Sequence, residues 1–220
     1  MANGTGTTTP QRLEPPAAGA IIFYSNIGCP YAHAALHRLL EIRRDHGVDS
    51  LVAIDHRPLH STSIRLLRNG DIDRWAATVD AQAREEPGAG WAAHAPAHRP
   101  ETQLAHEMVQ SAKAQGAEAS VELDRRLRVG FFRDHLDLDT VAAVMSVAAD
   151  VDGLDPDELE TEFASGRGAT EVDHHTEVAR EAGIVSGPAL ATAAGEVVAA
   201  LDVDTLEDLV CRAAASSPAE

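Results

Sequence analysis

Apolar positions begin with a short continuous run, Ala20-Ile21-Ile22-Phe23-Tyr24, ended by Ser25-Asn26 and Gly28. This pattern predicts a buried strand. Cys29-Pro30-Tyr31-Ala32 follows, and Pro30 suits a first helical turn, where a missing N–H costs nothing. Ala35, Leu36, Leu39, Leu40 and Arg43 then recur at helical spacing to about His46, with Gly47 as the stop. Leu51-Val52-Ala53-Ile54 predicts a second strand, closed by Pro58. Strand, helix and strand in this order form a βαβ unit and imply parallel pairing.

From about 62 to 182 the pattern is helical and Ala-rich, interrupted at Trp75 and by a Pro/Gly-rich loop from Arg84 to Pro100. Helices are expected over about Glu101–Gln115 and Ala117–Arg133. Val141, Val144, Met145 and Ala148 form an apolar stripe at helical spacing. Asp155-Pro156-Asp157-Glu158 reads as a helix start, with Asp as cap, Pro first and Glu third. Gly166 ends that helix, and another runs from about Thr170 to Ala182. Strand character returns with Ala189–Thr192 and Glu196–Ala200 around Ala193-Ala194-Gly195, a hairpin pattern. Asp204-Thr205 caps a last helix carrying Leu206, Leu209 and Val210. The order βαβ, long helical insert, ββα predicts an α/β thioredoxin fold with a large all-helical insertion. Its expected parts are a tail at 1–19, a thioredoxin-fold domain at 20–61 and 183–215, the insertion at 62–182, and a C-terminal tail at 216–220.

Hydrophobic residues make up 44% of the chain and charged residues 24%, the balance of a globular protein. Aromatics are only 4%, so the core must lean on Ala, Val, Leu and Ile. A formal charge of −17 argues against nucleic acid and anionic membrane partners, which need a basic surface. No apolar run approaches the roughly 18 residues of a membrane span. The Gly/Thr/Pro-rich start lacks a secretory pattern, which leads to the expectation of a cytoplasmic, reducing setting. Cys29 and Cys211 are the two cysteines, too few for a disulfide scaffold or a zinc site.

Cys29 is the candidate nucleophile. A thiol at a helix N-terminus meets unpaired N–H groups and the positive end of the helix dipole, so its pKa is expected below the free value of about 8.5. Ala32 leaves no adjacent thiol to close a local disulfide. Tyr31 offers a hydroxyl or a stacking face beside the sulfur, and His33 is a possible modulator of its proton affinity. His33/His37, His94/His98 and His174/His175 lack a visible third metal ligand and are read as solvated or core histidines. Cys211 is expected at the core or its boundary, and Trp75 and Trp91 as packing residues.

Three segments carry a resemblance: Phe23-Tyr24-Ser25-Asn26-Ile27-Gly28-Cys29-Pro30-Tyr31; Leu127-Arg128-Val129-Gly130-Phe131-Phe132 with the Asp137-Leu138-Asp139 turn; and Ala179 to Ala189 through Ser186-Gly187-Pro188. With them the chain resembles the DsbA-like thioredoxin superfamily, in its FrnE-like and 2-hydroxychromene-2-carboxylate isomerase-like branch, over nearly everything from Ala20 to Ala215. The resemblance implies a cis Pro188 whose loop faces Cys29, with Pro30, Tyr31, Ser186, Gly187 and Pro188 as thiol-binding positions. The motif departs from the family pattern at Ala32, which stands where the resolving cysteine belongs, and at Ser186-Gly187, where glycine was expected to leave room beside the sulfur for a bulkier thiol.

Three functions follow from this reading. The first is thiol–disulfide exchange through one cysteine, by mixed disulfide with a protein or a low-molecular-weight thiol of glutathione or mycothiol type. The second is a thiol-dependent transferase or isomerase similar to the kappa-class glutathione transferases, in which the site activates a cofactor's thiol. The third is a redox-inactive binding module. None implies a tightly bound cofactor or a metal.

Overall fold

The computed structural model describes residues 17–59, 69–199 and 201–217. Strand β1 (Ala20–Ser25) forms where the sequence places it, and its central residues are wholly buried. It pairs in parallel with β2 (Ala53–Pro58), Ile21 opposite Ile54, and antiparallel with β3 (Ala189–Ala191), Phe23 opposite Leu190. β3 pairs antiparallel with β4 (Val197–Val198), giving the sheet order β2-β1-β3-β4. A central strand hydrogen-bonded on both sides and covered on both faces needs a continuous apolar run, which explains why β1 is so legible.

Helix α1 (Pro30–Asp45) and helix α8 (Val203–Ser216) cover one face of the sheet. There Ile21 and Phe23 pack with Leu36, Leu39, Leu206, Leu209 and Val210. On the other face Ile22 and Tyr24 meet Ala179 and Ile184, at the end of helix α7 (Arg167–Glu181). Between β2 and β3 lie α2 (Asn69–Glu85), α3 (Gln103–Ala112), α4 (Ala117–Asp134), α5 (Val141–Ala148), α6 (Pro156–Ala164) and α7. The helices have their own core around Met108, Leu123, Leu127, Phe131 and Phe132. Ile27, from the loop after β1, is fully buried in it. This is a thioredoxin-type α/β fold with a helical insertion.

Several boundaries differ from the sequence reading. β2 begins at Ala53 and runs to Pro58, because it is an edge strand whose alternate residues Ile54, His56 and Pro58 point inward. A buried histidine and a proline disguise that alternation. Trp75, expected to interrupt the helical stretch, lies inside α2. The part of that stretch at 62–68 is outside the described residues. The last helix is capped by Asp202, whose Oδ1 accepts from the Thr205 N–H at 3.0 Å, rather than by Asp204. The hairpin strands are shorter than expected. The Asp155 cap forms as read, accepting from the N–H groups of Asp157 and Glu158 at 2.9 and 3.1 Å. Among the described residues no helix is long and apolar enough to cross a membrane.

Candidate active site

The loop from Ser25 to Cys29 is held by side chains from the inserted helices. The Arg128 guanidinium, fully buried on α4, donates to the Ser25 hydroxyl at 2.7 Å and to the Asn26 carbonyl at 3.1 Å. Its Nε bonds both carboxylate oxygens of buried Asp124 at 3.1 Å. The Asn26 side chain donates to Thr102 Oγ1 at 2.9 Å, and its Oδ1 accepts from the Gly28 N–H at 2.9 Å. Trp75 Nε1 donates to the Gly28 carbonyl at 3.2 Å, and the Cys29 N–H bonds the Asn26 carbonyl at 3.0 Å. Below the loop His56 stacks on His106 with ring centroids 5.4 Å apart.

Cys29 is the N-cap of α1 and its thiol is free. Burial pushes the thiol pKa up; the Ala32 N–H, the Arg128 charge, the Tyr31 N–H and the Arg99 charge oppose it without overcoming it. The expectation of a depressed pKa is therefore corrected. The helix N-terminus acts as foreseen, but most of the sulfur's surroundings are protein rather than water, and desolvation of the thiolate outweighs the amides.

Ala32 is fully buried in the α1 core. Tyr31 projects outward, 53% exposed. His33 is buried between aromatic rings, its centroid 4.5 Å from Trp91 and 4.8 Å from Phe132. Burial, then the Arg128 charge, hold its pKa down at about 3. It is uncharged near neutral pH, so no positive charge on it acts on the sulfur there. Cys211 lies exposed on α8, not in the core or at its boundary. Among the described residues no group of three or more His, Cys, Asp or Glu side chains is placed to hold a metal ion.

The Gly187–Pro188 bond is cis. Pro188 leads directly into β3, where Ala189 stands opposite Tyr24. A Cβ on Gly187 would come within 2.8 Å of Leu59 Cδ1 and 3.0 Å of the Tyr24 carbonyl oxygen. Glycine thus suits the close approach of this loop to the end of β1. Ser186 is exposed beside it, and Val185 is 85% exposed.

The family model of the DSBA-like thioredoxin domain matches residues 20–210. The chain belongs to that family. No curated protein matches this DSBA-like chain by sequence. Solved structures share its fold at low identity. The cytosolic disulfide reductase DsbM from Pseudomonas aeruginosa is 11% identical with a TM-score of 0.65, covering 89% of this chain and 95% of that one. A 2-hydroxychromene-2-carboxylate isomerase is 17% identical with a TM-score of 0.65, covering 89% and 98%. A probable DsbA oxidoreductase from Streptomyces coelicolor is 17% identical with a TM-score of 0.63, covering 91% and 92%.

Sequence reasoning missed Arg128, Asp124, His56, His106 and the Trp75–Gly28 bond as supports of the DSBA-like site. One signal was present. Asp124 and Arg128 are an i,i+4 charge pair among Leu123, Leu127 and Phe131, on the apolar stripe of α4 where charges are out of place.

Proposed function

We propose that this DSBA-like protein is a monothiol thiol–disulfide oxidoreductase working through Cys29. The observation that carries this reading is the first turn of α1. Cys29 stands at the N-cap of α1, where the Tyr31 and Ala32 amides favour its thiolate, while position 32 offers a buried methyl group instead of a second thiol. The Cys29 thiolate attacks a protein–S–S–R bond, forming Cys29–S–S–R and releasing the protein thiolate, which takes a proton. An R–SH, as its thiolate, then attacks the R sulfur, giving R–S–S–R and regenerating Cys29. Net, one R–SH and protein–S–S–R give protein–SH and R–S–S–R, so the R–SH supplies the electrons that reduce the protein sulfur.

R–SH is a low-molecular-weight thiol of glutathione or mycothiol type, bound loosely beside Tyr31 and the Ser186-Gly187-Pro188 turn. Free thiols at both cysteines and the acidic charge fit a cytoplasmic protein without nucleic acid or membrane partners. Because its pKa is raised, Cys29 is a poor leaving group, so the mixed disulfide is long-lived.

The test is intact-mass analysis after incubation with glutathione disulfide or mycothiol disulfide. One adduct at Cys29, absent in Cys29→Ser, is expected; no adduct with either disulfide overturns the reading and leaves a binding module. A second reading is favoured by the protonated thiol. The Cys29 S–H and the Tyr31 and Ala32 N–H groups could together hold a cofactor's thiolate, as in a thiol-dependent isomerase or transferase. A Cys29→Ser variant that keeps full turnover of a small electrophile would select it.

A further inference from the structure

We infer that Arg99 is the anchor for the thiol partner's charge: the small thiol that exchanges at Cys29 carries a carboxylate, which pairs with the Arg99 guanidinium. The inference rests on the exchange reading above and names the class of thiol it uses. Arg99 lies on the segment that joins a short 3-10 turn (Pro87–Ala89) to α3. That segment is pressed onto the cysteine loop. A Cβ on Gly28 would fall 2.7 Å from Pro100 Cγ, and Thr102 Oγ1 bonds the Asn26 side chain at 2.9 Å. Arg99 is thus next to a residue that touches the neighbour of Cys29.

The charges acting most strongly on the Cys29 sulfur are both arginines, Arg128 and Arg99, in a chain whose net charge is −17. They differ in what they are free to do. Arg128 is sealed in the core and satisfied by Asp124, Ser25 and Asn26. Arg99 is only partly buried, and among the described residues no carboxylate lies within ion-pair distance of it. The acid that acts on it, Asp71, bonds Arg74 at 3.4 Å. A guanidinium kept partly dry gains most from a carboxylate that can accept its fork of N–H donors. In a chain of net charge −17, a guanidinium beside the sulfur with no carboxylate partner among the described residues gives an anionic thiol a local attraction there. This favours a peptide thiol such as glutathione, with two carboxylates, over an uncharged sugar thiol.

The experiment uses the full chain in a Cys211→Ser background, which removes the other exposed thiol. Rates of Cys29 alkylation by iodoacetate and by iodoacetamide are compared at low ionic strength. Adduct formation with dithiodipropionate and with hydroxyethyl disulfide is compared in the same way. Arg99→Gln should lower the anion-to-neutral ratio by about threefold to tenfold in both pairs, salt should narrow the gap, and Arg99→Lys should keep most of the ratio. An unchanged ratio in Arg99→Gln, with the variant folded by circular dichroism, overturns the assignment. If neither disulfide adds while iodoacetamide still alkylates Cys29, the exchange reading fails, and the alkylation ratio still decides whether Arg99 governs anions at the sulfur.

Discussion

Replacing Arg128 by Met tests whether the insertion holds the cysteine loop in place. The guanidinium makes bonds of 2.7 to 3.1 Å to Ser25, Asn26 and Asp124, and both members of the ion pair are almost completely buried. Its removal strands the Asp124 carboxylate, which the apolar core cannot hydrate. Breaking a buried pair from one side costs about 3–5 kcal/mol. Against a typical total of about 5–15 kcal/mol, that is a large share of the fold's stability. For a protein of this size it corresponds to a melting temperature lower by about 10 °C. Asp124→Leu combined with Arg128→Met removes both charges and should cost less than Arg128→Met alone. Urea unfolding of the wild type, both single variants and the double variant measures the coupling. Loss of the Arg128 charge should also slow Cys29 alkylation at neutral pH, because that charge favours the thiolate. A single-variant cost below about 1 kcal/mol, or a double-variant cost equal to the sum of the singles, would refute the argument.

Alkylation of Cys29 by iodoacetamide should be slower at pH 7.5 than that of a free peptide thiol and should keep rising above pH 9; a plateau below pH 8 would show a depressed pKa instead. Acid should destabilise the fold through its buried histidines. The His33 pKa is about 3 folded against an ordinary 6.5, so below pH 6.5 the unfolded chain binds the proton and the native state does not. Stability is then full above pH 6.5 and falls by roughly 2 kcal/mol for this residue between pH 6.5 and 5, measurable as a drop in urea midpoint that His33→Leu should reduce by that share, His56 and His175 keeping theirs. Gly187→Ala should cost about 1–3 kcal/mol, since its Cβ would press on the Tyr24 carbonyl and Leu59; a neutral effect would mean the loop has slack there. Ala32→Cys should form an intramolecular disulfide with Cys29 under glutathione disulfide, seen as loss of both free thiols, and failure to form it would show that the turn cannot bring the two sulfurs together.

Local signals made much of this architecture legible. β1 is an unbroken apolar run because it is central, α1 opens on Cys29-Pro30 because proline fits its first turn, and Asp155-Pro156 caps α6 by direct side-chain bonds. Features that depend on distant partners were not legible. β2 hides a histidine in the core because its ring meets the Ser25 carbonyl, the Arg128 guanidinium and the His106 ring, none of them near it in sequence. The thiol's proton affinity turned on how much protein surrounds the sulfur, which no tetrapeptide motif encodes. Gly187 illustrates the same limit: its role became visible only once Tyr24 and Leu59 were known to lie against it.

Protonation of Cys29 at rest has a chemical corollary. Peroxides oxidise thiolates, so a sulfur that keeps its hydrogen and is largely wrapped by protein is a slow target for sulfenic acid formation. On the proposed exchange reading, with Ala32 in place of a second thiol in the same turn, that inertness would keep the sulfur available until a disulfide able to fit beside it arrives.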